Sequence, residues 1–179
     1  MKSQDMNRIR EMKNVSLKYL LENTSLHLGL EKDRSYGDVL DKIIKAAPQD
    51  KIIYVEGATG SEALVKMLLN GRVNYMLEFP QVVAYYNDTM KLDPNLYFSD
   101  IEEASTVRVV NIVCTKSRWG RMLSRKIDRA LQELAQEQSF RDLVEVYYPE
   151  DVKNKYRKDF DAFYKERAKG PMTSAPLGK

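Results

Sequence analysis

Strand-like and helix-like segments alternate along residues 25–79, and this alternation limits the fold more than any other feature of the sequence. Residues 25–30 alternate apolar with polar or small side chains, residues 51–55 are rich in β-branched side chains, and residues 73–79 form a third strand-like run. The segments between them place apolar side chains on one helical face. This order predicts an α/β fold with a small, mostly parallel sheet flanked by helices.

Local signals indicate where the predicted helices begin and end. Ser16 is a suitable N-cap for a short first helix, and Ser35 with Asp38 resembles a capping box for the second. Gly71 is suited to the position just after a helix, and Pro80 to the first turn of one. These signals support the alternating order of elements.

The chain changes character after Trp119, because apolar residues then recur at helical spacing and strand-like runs stop. Just before that point, residues 107–114 form a nearly all-apolar run that predicts a strand buried on both faces. The patterns divide the chain into a polar N-terminal segment at 1–14, an α/β lobe at 15–118, C-terminal helices at 119–169 and a disordered tail at 170–179.

Charge and hydropathy narrow the possible partners and compartments. Lysine and arginine total 29 against 26 acidic residues, and this mild excess does not call for a nucleic-acid partner. Residues 1–14 contain no apolar core of a signal peptide, and no apolar run approaches the roughly 20 residues of a membrane helix. We therefore expect a chain without a signal peptide that is not embedded in a membrane.

The sequence lacks the residue constellations that enzymes and metal sites use. Cys114 is the only cysteine and lies in an apolar run, while the only histidine, His27, is distant in sequence. The glycine-containing turn at 57–61 lacks the lysine of a phosphate-binding loop. We expect a binding protein without catalytic residues, metal or cofactor.

Two predicted helix N-termini that follow strands are candidate ligand sites. Arg34, Ser35 and Tyr36 precede one helix, and Thr59 and Ser61 begin the next. In an open α/β sheet such positions face the crevice at the carboxyl ends of the strands, where free backbone amides attract anions. An arginine there can also hold a carboxylate with two hydrogen bonds. Simple capping of the helices would equally explain the hydroxyl groups.

Glu78 lies near the end of the strand-like run at 73–79, two residues before Pro80. Its position at the end of a strand makes it the carboxylate most suited to meet a cationic group of a ligand. A solvated surface glutamate is the alternative interpretation.

Six short stretches share a wider pattern: Val15-Ser16-Leu17-Lys18-Tyr19-Leu20, Leu28-Gly29-Leu30, Arg34-Ser35-Tyr36-Gly37, Gly60-Ser61-Glu62-Ala63-Leu64-Val65-Lys66-Met67-Leu68, Gly71-Arg72-Val73-Asn74-Tyr75 and Glu78-Phe79-Pro80. Together they resemble the second lobe of the bacterial extracellular solute-binding protein family 3, which has the type II periplasmic-binding-protein fold. The resemblance covers roughly residues 15–148, and the helices after Trp119 look like the family's C-terminal helices.

The resemblance implies a function and a location. Members of this family close two lobes on an amino acid or similar small polar solute for the membrane subunits of an ABC importer, in the periplasm. By position it implicates Arg34, Ser35 and Tyr36 at the ligand carboxylate, with Asn74 or Glu78 near the amine. The strands of a first lobe are not recognisable, so the resemblance implies a partial or truncated member.

Two alternatives stay open at this point. The chain could be a ligand-free protein-interaction or sensory domain of the same fold, docking through the helices after Trp119. A weaker alternative is nucleic-acid binding through the basic segment at 153–169.

Overall fold

The computed structural model describes residues 14–57, 60–92, 96–104 and 112–170 of the chain. Contacts divide the chain into two compact units, residues 1–106 and 107–179. Among the described residues, no helix is both long and apolar enough to cross a membrane.

The first unit alternates strands with helices, as the sequence predicts. Its elements are β1 (Asn14–Val15), α1 (Leu17–Asn23), β2 (Leu28–Glu31), α2 (Asp38–Ala46), a 3₁₀ turn (Gln49–Lys51), β3 (Ile52–Val55), α3 (Gly60–Leu69), β4 (Tyr75–Met76), α4 (Pro80–Thr89) and β5 (Asp100–Ile101). The main sheet has the order β3-β2-β4 with parallel pairing throughout, and β1 pairs in parallel with β5. The prediction of an α/β fold with a small parallel sheet is confirmed.

Several predicted helix ends are confirmed by their hydrogen bonds. The Ser16 hydroxyl accepts a hydrogen bond from the Tyr19 amide at 3.1 Å, which caps α1. Pro80 is in the first turn of α4. After α3, Gly71 has a φ of 65°, and its amide bonds to the Leu68 carbonyl at 3.0 Å, which closes the helix in the predicted way.

The predicted capping box of Ser35 and Asp38 is wrong. The N-cap of α2 is Gly37, whose φ of 104° favours glycine. Asp41, one turn into the helix, instead binds the loop before the helix: its carboxylate accepts hydrogen bonds from the Ser35 hydroxyl at 2.6 Å and from the Tyr36 amide at 2.7 Å. Asp41, and not the predicted Asp38, is therefore the carboxylate that Ser35 binds.

The strand β2 is buried on both faces, which the sequence pattern did not predict. Leu28, Gly29 and Leu30 are all buried in succession, and the strand begins three residues later than the predicted run at 25–30. A middle strand with helices packed on both faces loses the alternation of a half-exposed strand. For the same reason the two leucines join a core cluster with Leu17, Leu21 and Leu40.

Two other predicted strands also differ from the structure. The run at 73–79 pairs only at Tyr75–Met76. Most of the run at 107–114 lies outside the described residues, and residues 112–114 have no regular structure. Val113 is 90% exposed, so burial on both faces is wrong for this described part.

The second unit contains α5 (Arg118–Leu134), α6 (Gln138–Val144) and α7 (Glu150–Lys169), in the region where the sequence predicts C-terminal helices. The Ser117 hydroxyl caps α5 by accepting a hydrogen bond from the Gly120 amide at 3.0 Å. Arg167 joins α7 to α5 through the Asp128 side chain at 2.5 Å and the Asp128 carbonyl at 2.8 Å. Residues 1–13 and 171–179 lie outside the described part, so the predicted four-part division stays a prediction.

We expect Gly29→Ala to destabilise the first unit by about 1–3 kcal/mol, because its new β-carbon would lie 2.8 Å from Leu64 Cδ2 and 3.1 Å from Val73 Cγ1. Leu64→Ala alone should cost about 2–5 kcal/mol by leaving a cavity. The double variant should lose less than the sum, since the shortened Leu64 makes room. Urea unfolding followed by circular dichroism measures all three, and strict additivity would contradict the close packing.

Candidate functional site

Polar side chains from four segments meet at the carboxyl edge of the main sheet. They are Glu31 at the end of β2, Arg34 and Tyr36 in the following loop, Ser61 at the start of α3 and Glu78 just after β4. We call these five residues the Arg34 cluster. The strands are parallel, so their carboxyl ends lie on the same edge of the sheet, where α/β proteins bind ligands.

The centre of the Arg34 cluster is a two-bond ion pair between Arg34 and Glu78. The Arg34 Nη1 atom donates to Glu78 Oε2 and Nη2 donates to Glu78 Oε1, both at 2.8 Å. The Phe79 amide also donates to Glu78 Oε1 at 2.9 Å. The Glu78 side chain is only 2% exposed, so its carboxylate depends on these donors in place of water.

The charges of the pair stabilise each other's ionised forms. Burial disfavours the Glu78 carboxylate, but the hydrogen bonds from Arg34, the Phe79 amide and Ser61 outweigh burial and hold the pKa of Glu78 below its ordinary value. The hydrogen bond to Glu78 is also the main cause that raises the pKa of Arg34. Both groups are therefore charged at neutral pH.

Glu31 and Ser61 extend the ion pair into a network. Arg34 Nη1 donates to Glu31 Oε1 at 2.7 Å, and the Ser61 Oγ atom lies 2.7 Å from Glu31 Oε1 and 2.8 Å from Glu78 Oε2. The hydroxyl has one proton and can donate to only one carboxylate at a time. Two carboxylates thus share one guanidinium, which gives the cluster a formal charge of −1 when all three groups are ionised.

Glu31 is a partly exposed member of the network. Its side chain is 24% exposed, and among the described residues its Oε2 atom has no hydrogen-bond partner. This oxygen lies against Gly60, where an added β-carbon would come within 2.8 Å of Oε2 and 2.6 Å of Cγ. Glycine at the first position of α3 therefore makes room for the Glu31 side chain.

Tyr36 contacts both Glu31 and Arg34. Its hydroxyl oxygen accepts a hydrogen bond from the Glu31 amide at 3.0 Å, and the Arg34 guanidinium carbon lies 5.2 Å from its ring centre. Burial of the ring raises the pKa of the Tyr36 hydroxyl above its ordinary value. Tyr36 thus fixes the backbone of β2 and the position of Arg34 together.

A surface depression of about 350 Å³ adjoins the cluster. Glu31, Arg34 and Tyr36 line one part of it, and Lys45 and Tyr54 line another. This volume is within the range of small-molecule sites, at its lower end. Glu31 and Arg34 are therefore accessible from this depression.

The structure brings Arg34, Tyr36, Ser61 and Glu78 together from the predicted site residues, but it places Ser35 and Asn74 elsewhere. Ser35 bonds to Asp41 at the start of α2. Asn74 precedes β4, at the opposite end of that strand from Glu78, where its side chain accepts a hydrogen bond from the His27 amide at 2.9 Å. Thr59 lies outside the described residues.

Sequence reasoning missed Glu31. The predicted strand ends at residue 30 and the predicted turn begins at residue 32, so Glu31 belongs to neither and is not among the candidate site residues. The available signal was its place as the first charged residue after Leu28-Gly29-Leu30, which puts it at the same sheet edge as the other candidates.

Comparison with known proteins finds no match for the chain. No protein-family model, curated protein or solved structure matches the chain. Within the described ranges, no group of three or more histidine, cysteine, aspartate or glutamate side chains is placed to hold a metal ion. The chemistry of the cluster therefore rests on its own contacts.

We expect Glu78→Gln to lower the free energy of unfolding by about 1–3 kcal/mol at neutral pH, because among the described residues it leaves Arg34 with Glu31 as its only charged partner. The matched control is Glu62→Gln, whose ion pair with Lys66 is largely exposed and should contribute no more than about 0.5 kcal/mol. Urea unfolding measures both variants.

The effect of Glu78→Gln should also depend on pH. The folded pKa of Glu78 lies below its ordinary value of 4.5, so the stability from its ionised form is fully present above that pH and is lost as the pH falls further. The difference between the wild type and Glu78→Gln should therefore narrow in acid. A difference that stays constant below pH 4.5 would contradict the assigned role of the charge.

Proposed function

We propose that the first unit is a solute-binding lobe that takes a small polar, amino acid-like solute at the Arg34 cluster. The observation that carries the proposal is the convergence of Glu31, Arg34, Ser61 and Glu78, from four separate segments, at the carboxyl edge of a parallel sheet. In this proposal the chain binds its solute and does not transform it.

The charge of the cluster favours a cationic group on the solute. Two carboxylates face one guanidinium, and the free Oε2 atom of Glu31 can accept hydrogen bonds from an ammonium group. The proximity of Arg34 keeps the net attraction modest, so a second anchoring point is required for useful affinity.

A carboxylate on the same solute supplies that second point. The Arg34 guanidinium is partly exposed, and Ser61 at the N-terminus of α3 can donate a hydroxyl hydrogen bond. The carboxylate of a zwitterion would take the place of Glu78 beside Arg34. Its ammonium group would take the place of Arg34 beside the carboxylate. The internal ion pair thus occupies the position that the two charges of an amino acid would take.

The wider role follows from the family resemblance of the sequence. In this proposal the chain is the substrate-binding component of an ABC importer. It lies in the periplasm and docks to the membrane subunits of the importer. The parallel sheet, which carries polar side chains at its carboxyl edge, supports it at the level of fold.

A second candidate function is favoured by one observation. The polar groups of the Arg34 cluster largely satisfy one another, as expected of a purely structural network that ties β2, α3 and β4 together. On this alternative the first unit is a ligand-free protein-interaction or sensory domain of the same fold.

Isothermal titration of the whole chain with amino acids, polyamines and small carboxylates separates the two candidates. We expect saturable binding of at least one zwitterionic solute, weakened roughly 10- to 100-fold by Glu31→Gln, which removes a charged hydrogen-bond acceptor but keeps the side-chain shape. The matched control Glu56→Gln alters an exposed glutamate paired with Lys32 and should bind like the wild type. Absence of binding to the whole panel would favour the ligand-free alternative.

A further inference from the structure

The solvent-facing side of α5 carries a row of arginines. Arg118, Arg121, Arg125 and Arg129 are spaced by three, four and four residues and are all exposed. At about 100° per residue they lie within roughly 80° of the helix circumference and extend over about 17 Å of its length. We call these four residues the arginine stripe.

The arginine stripe has no anionic partner in the part of the chain that the structure describes. Among the described residues, none of its four side chains, nor that of the neighbouring exposed Lys126, takes part in an ion pair or hydrogen bond. Of the two acids in α5, Asp128 is bound by Arg167, and Glu133 lies near the C-terminal end of the helix. The N-terminal half of α5 therefore presents concentrated, uncompensated positive charge.

Exposed apolar side chains accompany this charge. Trp119 is 61% exposed and Met122 is 50% exposed, both in the first turns of α5 beside the arginines. Just before the helix, Ile112 and Val113 are also exposed, at 59% and 90%. Cations interspersed with tryptophan and aliphatic side chains are typical of surfaces that lie at a membrane interface.

We propose that the arginine stripe with Trp119 and Met122 binds the surface of an anionic phospholipid bilayer. The guanidinium groups match lipid phosphates by charge and by paired hydrogen bonds, while the indole and thioether enter the boundary between headgroups and acyl chains. No described helix can cross a membrane, so the contact is a peripheral attachment.

A nucleic acid fits the same surface less well. Arginine and tryptophan could engage phosphates and bases, but exposed Met122, Ile112 and Val113 gain little from stacking on bases. Those aliphatic side chains do gain from transfer out of water into a lipid interface. The lipid surface therefore accounts for both the charged and the apolar parts of the patch.

The chain's single tryptophan makes the contact directly measurable. The whole chain is mixed with vesicles of equal parts phosphatidylcholine and phosphatidylserine, or of phosphatidylcholine alone, and binding is followed by co-sedimentation and by the fluorescence of Trp119. We expect binding and a blue-shifted emission with anionic vesicles only, both reduced by added salt.

The test variant is Arg118→Gln/Arg121→Gln/Arg125→Gln, which should weaken vesicle binding by roughly fivefold per arginine, or about a hundredfold in total. The matched control Lys158→Gln/Lys165→Gln/Lys169→Gln removes the same charge from exposed positions of α7 and should bind nearly as the wild type. Circular dichroism is the control that tests whether both variants are folded.

Three results would overturn the proposal. These are equal binding to both kinds of vesicle, equal loss of binding in the test and control variants, and binding to a single-stranded oligonucleotide without binding to anionic vesicles. The solute titration concerns a different unit of the chain, so its outcome does not decide this one.

Discussion

At Gly29 the central strand β2 carries no side chain, and Leu64 of α3 and Val73 pack within 2.8 Å and 3.1 Å of the place that a β-carbon would take. This close contact fixes how α3 lies along the sheet. The same helix begins at Gly60, which in turn leaves room for the Glu31 side chain. Two glycines at the interface of one strand and one helix thus place Ser61 beside Glu31, so the geometry of the polar site depends on packing in the apolar core.

The buried Glu78 carboxylate adds an electrostatic constraint to the constraint from packing. A carboxylate removed from water is unfavourable unless donors replace its hydration, and Arg34, Ser61 and the Phe79 amide provide them. Such a pair adds little net stability compared with apolar packing, but it defines the relative positions of the groups closely. Any solute that uses Arg34 must compete with Glu78, and this competition lowers its affinity.

Local features of the fold could be predicted from sequence because they depend on neighbouring residues. Ser16, Gly71 and Pro80 act at helix ends through contacts within a few positions, and the alternation of elements follows from apolar spacing. The predicted capping box of α2 is wrong because the partner of Ser35 lies farther along the chain than expected. Asp41 is six residues from Ser35, beyond the spacing of the expected capping box.

The candidate site could be predicted only in part, since its pairing is non-local. Arg34 and Glu78 were both candidates, but 44 positions separate them and no local signal showed that they bind each other in place of a ligand. Asn74 and Glu78 are close in sequence, yet β4 lies between them and carries them to opposite ends of the strand. Glu31 was missed because the end of β2 was placed one residue too early.

For the proposed binding of a solute, the two-bond contact between Arg34 and Glu78 has a kinetic consequence. A zwitterion that needs both groups can dock fully only after the pair has opened, and opening breaks two charged hydrogen bonds without help from the solute. At low solute concentration the observed association rate would rise in proportion to concentration. At high concentration it would level off at the opening rate of the ion pair, so an internal contact of the lobe would set the fastest response of the protein to its solute.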